Sequence, residues 1–145
     1  MPPPPILLAE AVIKDIDLIE QVQRRFTKRL RCLDGVAYTD RLRRLNLPSL
    51  ELRRLHLDLV FCFKIVFGIV HINSDDLFMF CTVAHTRGHG YKLYKPRCVS
   101  SVRIKLFYWI INVWNFLPHT VDYSSLSKFK RSLNRVDFSA FLRYA

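Results

Sequence analysis

Residues 13–30, IKDIDLIEQVQRRFTKRL, carry the pattern that decides the fold. Apolar side chains recur in and around this stretch at spacings of four and three residues, which is the period of a helix with one buried face. The pattern predicts an amphipathic helix of roughly 20 residues that ends at Asp34 and Gly35, where a left-handed turn is favoured. The positions on its apolar face are Val12, Ile16, Ile19, Gln23, Phe26, Leu30 and Leu33, widened by Leu18 and Val22.

Two further helices are predicted directly after this one. Thr39 is placed to cap a short helix over residues 40–47, and Ser49 is placed to cap a longer one over residues 50–68. After Leu57 the longer helix is apolar on almost every side, which is typical of a helix at the centre of a bundle.

The rest of the chain changes period twice. Alternating side chains over residues 91–95 predict a short strand, paired with residues 102–106, and helical patterns return over residues 107–117 and after Ser124 or Ser125. The predicted fold class is therefore α+β, mostly α, with an N-terminal three-helix bundle, a short two-stranded β element and two C-terminal helices.

The charge of the chain is strongly positive and unevenly distributed. Lys and Arg number 23 against 12 Asp and Glu, which gives a net charge of +11 and a pI near 9.9. Residues 1–20 carry a net charge of −3, residues 21–60 one of +6 and residues 91–145 one of +8. Half of the residues are hydrophobic, which excludes wholesale disorder. Polyanions are the expected partners of such a chain.

Several other classes of protein are disfavoured by the sequence. No basic segment precedes the short apolar run at residues 6–8, so a signal peptide is not expected. The longest apolar stretches, residues 57–72 and 104–117, are shorter than the roughly 18–20 residues of a membrane span. Without a secretory signal, the cysteines are expected to be reduced thiols in an intracellular protein, cytoplasmic or nuclear. They are Cys32, Cys62, Cys81 and Cys98.

The sequence contains one group of neighbouring residues whose side chains can bind metals. They are Cys81, His85, His89 and Cys98. Structural zinc sites pair their ligands two to four residues apart on each side, whereas the last gap here is twice that length. We expect these side chains to be unrelated, and we expect no metal and no cofactor.

A resemblance emerges when separate stretches are taken together. They are, in order, KDIDLIEQVQRRFTKRL (14–30), YTDRLRRLNLPSLELRRL (38–55), TRGH (86–89) with KLYKP (92–96), NVWNFLP (112–118) and LSKFKR (126–131). In this order and spacing they resemble the C-terminal portion of reverse transcriptases from jockey-like non-LTR retrotransposons. The resemblance covers residues 13–135.

The resemblance implies a fragment of an RNA-directed DNA polymerase that lacks the catalytic palm. In that family this portion resembles the thumb and the region after it, and the thumb grips the template–primer duplex by its backbone. The implied partner is therefore an RNA or RNA–DNA duplex. The implied segments are a Pro-rich lead-in at 1–12 that does not resemble the family, a basic helical thumb-like subdomain at 13–70, a linker with turns and a short strand at 71–101, and a C-terminal subdomain at 102–145.

The candidate nucleic-acid-binding residues follow from the helix and the resemblance together. At 100° per residue, Arg24, Lys28 and Arg31 form a stripe opposite the apolar face, flanked by Arg25 and Arg29. The alternative is that this stripe is a solvated charged face without a nucleic-acid partner. The full candidate set is Arg24, Arg25, Lys28, Arg29, Arg31, Arg87, His89, Lys92, Lys95 and Arg97.

No catalytic residues are predicted. Residues 73–76, Asn-Ser-Asp-Asp, superficially resemble the polymerase Tyr/Phe-x-Asp-Asp hairpin, but Asn73 replaces the aromatic residue and no strand-borne Asp lies upstream to complete a two-metal site. The isolated chain is therefore expected not to be an enzyme. The alternative interpretation is a domesticated basic helical adaptor that binds nucleic acid or protein.

Overall fold

The computed structural model describes residues 6–71, 79–81, 88–94 and 102–144. These residues form five α-helices and one pair of short strands, so the predicted fold class, α+β and mostly α, is confirmed. The elements are α1 (Ile6–Lys28), α2 (Tyr38–Leu45), α3 (Leu50–Val66), β1 (Met79–Phe80), β2 (Leu93–Tyr94), α4 (Val102–Phe116) and α5 (Leu126–Leu133), followed by a 3₁₀ turn at Ser139–Phe141.

The first helix starts and ends earlier than its sequence pattern indicated. It begins at Ile6, inside the Pro-rich segment 1–12, and it ends at Lys28. In the loop that follows, Cys32 and Gly35 have positive φ angles of 67° and 75°. Such angles cannot belong to a right-handed helix. Gly35 thus adopts the left-handed conformation expected of it, but beyond the end of the helix.

Part of the predicted apolar face of α1 is turned toward solvent, which corrects the sequence-based expectation for Leu18, Ile19, Val22 and Phe26, whereas Ile16, Gln23 and Leu30 are half-buried and Leu33 is buried. The exposed fractions of Ile19, Val22 and Phe26 are 49%, 68% and 63%, whereas Glu20 and Thr27 are buried. The buried polar side chains are hydrogen-bonded, and the Glu20 carboxylate accepts backbone N–H groups at the start of α3. Those tertiary hydrogen bonds, which a local pattern cannot reveal, determine the face that packs.

One of the two predicted helix caps in the N-terminal half is present. The Oγ of Ser49 accepts the N–H of Leu52 at 3.2 Å, as expected for the cap of α3. Thr39 lies inside α2, however, and the N-cap position is Ala37, which makes no side-chain cap bond. The start of α2 is instead attached to α1 through the Tyr38 hydroxyl, which donates a hydrogen bond to the buried glutamate of that helix.

The third helix buries one face only. Leu55, Leu59 and Phe63 are at most 2% exposed, whereas Leu57 and Phe61 on the other side are 62% and 47% exposed. The expectation of a helix surrounded by the core is therefore wrong. The helical period separates the two sets of side chains, and the described part of the chain covers only one of them.

The two-stranded element has a different partner from the one predicted. β1 and β2 pair antiparallel, with Met79 opposite Tyr94 and Phe80 opposite Leu93. Residues 102–106, the predicted partner, form the first turns of α4 instead. The side-chain amide of Asn115 in α4 donates to the Leu93 carbonyl and its oxygen accepts the Leu93 N–H, both at 2.8 Å. The helix therefore takes the place of a further strand beside β2.

The chain divides into two compact units, and the division falls inside α3. The N-terminal unit comprises Met1–Arg54 and Phe138–Ala145, and the central unit comprises Leu55–Asp137. The central unit has an aromatic core in which Phe63 stacks on Phe129 with their ring centroids 4.6 Å apart.

The last helix begins as predicted. The Oγ of Ser125 accepts the N–H of Lys128 at 3.3 Å, which identifies Ser125 as the N-cap of α5. Phe129 and Leu133 are buried and its basic residues are exposed. Among the described residues, no helix combines the length and the apolar character needed to cross a membrane.

Candidate nucleic-acid interface

Four of the candidate residues form one exposed group at the end of α1, which we name the basic segment: Arg25, Lys28, Arg29 and Arg31. Arg25 and Lys28 lie in the last turn of the helix, and the other two lie in the loop that follows. The ion pairs that the structure shows, Arg43 with Asp40 and Arg143 with Asp17, include none of the four. The positive charge of the basic segment is thus not neutralised within the described part of the chain.

Arg24 does not belong to this exposed group. Its guanidinium carbon lies 4.9 Å from the ring centroid of Tyr38 and 5.3 Å from that of Tyr144. Its Nε atom is buried and has no hydrogen-bond partner among the described residues. Cation–π contacts therefore engage Arg24 inside the N-terminal unit. The expected stripe of Arg24, Lys28 and Arg31 is interrupted, since α1 also ends before Arg31.

The ring of Tyr38 is the centre of this arrangement. Arg41, which is only 5% exposed, places its guanidinium carbon 5.6 Å from the same ring centroid. The Tyr38 hydroxyl donates to Oε1 of Glu20, and burial together with this bond raises the pKa of the hydroxyl. The Glu20 carboxylate also accepts the N–H groups of Leu50 and Glu51, each at 3.3 Å. One buried acid thus joins all three N-terminal helices.

The C-terminal segment is attached to the same unit. The Tyr144 hydroxyl donates to Asp17 at 2.6 Å, and the Arg143 guanidinium donates to the same carboxylate at 3.1 Å. The backbone N–H groups of both residues donate to Oε2 of Glu51. Sequence reasoning did not find this contact, because no short-range signal links residues more than 90 positions apart.

The second predicted binding segment is only partly visible. Arg87, Lys95 and Arg97 lie outside the described residues. Lys92 is partly buried, and its carbonyl oxygen accepts the N–H of Cys81 at 2.9 Å.

His89 is buried, with 7% of its surface exposed. Its Nε2 lies 2.8 Å from the carbonyl oxygen of Trp114, to which it donates, and its Nδ1 accepts the N–H of Tyr91 at 3.2 Å. These two bonds require the neutral tautomer with the proton on Nε2. Burial lowers the pKa of His89, since it disfavours the charged ring. Both ring nitrogens are therefore engaged by the chain itself.

The rings around His89 continue the core of the central unit. The centroid of Tyr123 lies 5.0 Å from that of His89, 4.9 Å from that of Tyr91 and 5.6 Å from that of Trp114. The Trp114 indole N–H donates to the carbonyl oxygen of Tyr91 at 2.8 Å. Burial raises the pKa of the Tyr123 hydroxyl and of the Cys62 thiol. This region is a packing core that includes His89 and Tyr91, which precede β2.

A second exposed basic surface lies on α5. Lys128 and Arg131 lie within a 60° arc of the helix, on the side away from the buried Phe129, and Arg135 is exposed just after the end of the helix. The structure thus offers one exposed basic surface in each unit.

The described residues contain no group of three or more His, Cys, Asp or Glu side chains that could hold a metal ion. Cys32, Cys62 and Cys81 are free thiols, and Cys32 is exposed. His85 and Cys98, from the metal-ligand group weighed above, and the Asp75–Asp76 pair lie outside the described residues.

Comparison with models of known protein families, with curated proteins and with solved structures found no match to this chain.

Proposed function

We propose that this chain binds a nucleic-acid duplex through the phosphate backbone, without sequence preference, as a reverse-transcriptase fragment of the jockey-like non-LTR type that lacks the palm. The observation that carries the proposal is the basic segment. Its four exposed Arg and Lys residues lie within a stretch of seven residues, and none of them belongs to the ion pairs that the structure shows. The proposed ligand is an RNA or RNA–DNA duplex.

The geometry of the basic segment favours backbone binding over base recognition. Two of its basic residues lie in a helical turn and two lie in the adjoining loop, so their charges spread over a surface. Each Lys or Arg side chain that neutralises a phosphate releases condensed counterions, and the resulting gain in binding free energy does not depend on the nucleotide sequence. Arg24 and His89 are left out of the proposed site because the fold engages them elsewhere.

The proposal includes no polymerase or nuclease activity for the isolated chain. Its support is the sequence around Asp75 and Asp76, which lacks the aromatic residue and the upstream carboxylate of a two-metal site. We expect no primer extension with Mg²⁺ or Mn²⁺. Extension that is lost in the Asp75→Asn variant would contradict this.

The binding proposal is tested by fluorescence anisotropy with labelled 20-base-pair duplexes of unrelated sequence. Four neutralised phosphates predict a slope of about −3.6 in log K against log salt on a DNA duplex, or about a 150-fold loss of affinity between 50 and 200 mM salt. Affinities that differ between unrelated sequences, or that hardly change with salt, would reject it.

A further inference from the structure

We propose that α1 pairs with α1 of a second copy of this chain, in antiparallel orientation, through the apolar stripe of α1. That stripe consists of Leu18, Ile19, Val22 and Phe26, with exposed fractions between 49% and 68%. These side chains recur at the spacing of a helix face and lie opposite the packed Glu20 and Thr27. Exposed apolar groups contiguous along two turns of a helix are typical of an interaction site.

The apolar stripe is self-complementary about Val22. In an antiparallel pair centred there, Val22 faces Val22 of the second copy, and Leu18 faces Phe26. The contact of Leu18 with Phe26 then occurs twice, once in each direction, as two-fold interfaces require. Packing two helices at the usual 8–10 Å would remove all four side chains of each copy from water.

Two charges at the ends of the stripe have the same centre of symmetry. Asp15 on α1 and Arg29, the first residue after the helix, lie seven positions on either side of Val22, and both are exposed. Neither forms an ion pair within the described part of the chain. The antiparallel pair places Asp15 of each copy beside Arg29 of the other, twice per dimer. A parallel pair would place Asp15 beside Asp15 and Arg29 beside Arg29, which repel.

This symmetry favours a second copy over an unrelated partner. Residues 1–20 carry a net charge of −3 and the following block is strongly positive, so each half of the helix complements the opposite half of its copy. One helix pair falls at the low end of interface areas, below about 1,200 Å². We therefore expect a dimer that dissociates on dilution.

Sedimentation velocity of the full chain tests the association. The protein is first treated with nuclease and kept in 300 mM salt, so that bound nucleic acid does not bridge copies. We expect the mass to rise with concentration from 17.2 kDa toward twice that value. Val22→Glu should weaken the dimer at least roughly tenfold, because it places two carboxylates on the two-fold axis. A mass of one chain at all concentrations would overturn the proposal, whatever else covers the stripe.

Leu57→Glu is the matched control. Leu57 is also a helical residue and is 62% exposed, but it lies outside the apolar stripe. The control variant should dimerise as the original chain does. Equal weakening by both substitutions would show that association is not specific to α1, and would reject the proposal.

Two milder variants test the register. In a Cys32→Ser background, Val22→Cys should cross-link under copper–phenanthroline oxidation at least roughly tenfold faster than Leu57→Cys, since pairing raises the effective thiol concentration. Arg29→Asp alone should weaken the dimer, and Arg29→Asp combined with Asp15→Arg should restore it. Equal cross-linking rates, or no restoration, would overturn the antiparallel register.

These outcomes are separable from those of the proposed function. A monomer that binds duplexes with a steep salt dependence would reject the dimer alone. A dimer that does not bind duplexes would reject the proposed function alone.

Discussion

At the scale of single residues, the most consequential side chain is one that sequence reasoning did not single out. Glu20 is 1% exposed and accepts three hydrogen bonds, from the Tyr38 hydroxyl and the N–H groups of Leu50 and Glu51. In the sequence it is one of several acids in the first half of a helix. Its burial follows from where α2 and α3 begin, which is a tertiary fact.

We predict that Glu20→Gln lowers the free energy of unfolding by about 2 kcal/mol, because one part-buried N–H then faces an amide NH₂ and loses its acceptor. Urea denaturation at pH 7 measures the effect. Asp15→Asn, which removes the same charge from an exposed position of α1, should change the stability of the chain by less than about 0.5 kcal/mol in dilute solution, where the proposed dimer is dissociated. Equal effects of the two substitutions would contradict the buried role of Glu20.

The neutral, buried state of His89 predicts that the stability of the fold depends on pH. The pKa of His89 is lower in the folded chain than in the unfolded one, so the unfolded state binds the proton first as the pH falls. Its contribution to stability is therefore complete above the unfolded pKa near 6.5, and is lost as the pH falls from there toward the lower folded pKa.

We expect urea unfolding to show stability decreasing between pH 7 and pH 5, by at most about 1.4 kcal/mol per pH unit from this proton. The pKa of His56 is also lowered by burial and contributes with the same sign. His89→Gln should flatten the dependence without abolishing it. An unchanged slope in that variant would contradict the neutral, buried state of His89.

At the scale of elements, what could be predicted from the sequence was local. The cap at Ser49 was predicted and the cap of α5 was narrowed to Ser124 or Ser125, because a cap depends on the neighbouring three residues, whereas the cap predicted at Thr39 was wrong. The partner of β2 and the packed face of α1 were not, because both depend on hydrogen bonds from distant residues such as Asn115 and Glu20. A periodic apolar pattern identifies a helix, but it does not state which face finds a partner in the same chain.

The orientation of α1 can be measured in dilute solution, where the apolar stripe is unpaired. Phe26→Gln should change stability by less than about 0.5 kcal/mol, whereas a core Phe would cost about 3–5 kcal/mol when truncated. Thr27→Gln, at the neighbouring buried position, should cost about 1–3 kcal/mol through overpacking. If chemical denaturation showed a larger loss of stability for Phe26→Gln than for Thr27→Gln, the buried face of α1 would be the one expected from the sequence.

The contact between α4 and β2 gives a further prediction. Asn115→Ala removes both bonds to the Leu93 backbone, so the Leu93 amide proton should lose most of its protection from hydrogen exchange. Global stability should fall by about 1–3 kcal/mol, since two backbone groups are left unsatisfied. Unchanged exchange at Leu93, observed by NMR, would mean that β2 does not depend on the helix.

At the scale of the whole molecule, the overall charge was evident from the sequence, but its exposure was not. The four residues of the basic segment kept the surface position expected of them. Arg24 did not, because two tyrosines from distant parts of the chain, Tyr38 and Tyr144, stack against it. The proposed binding surface is therefore the basic segment and not the original helical stripe.

The measurement that tests the binding account most directly compares two triple variants by salt titration on one DNA duplex. Arg25, Lys28 and Arg31 are replaced by Gln in the first, and Lys128, Lys130 and Arg131, all exposed in the central unit, are replaced by Gln in the second. Both lose the same net charge, and Gln preserves helix propensity. We expect the slope of log K against log salt to become shallower, from about −3.6 to about −0.9, in the first variant and to stay unchanged in the second. A slope that becomes shallower in the second variant and not in the first would contradict the assignment of binding to the basic segment.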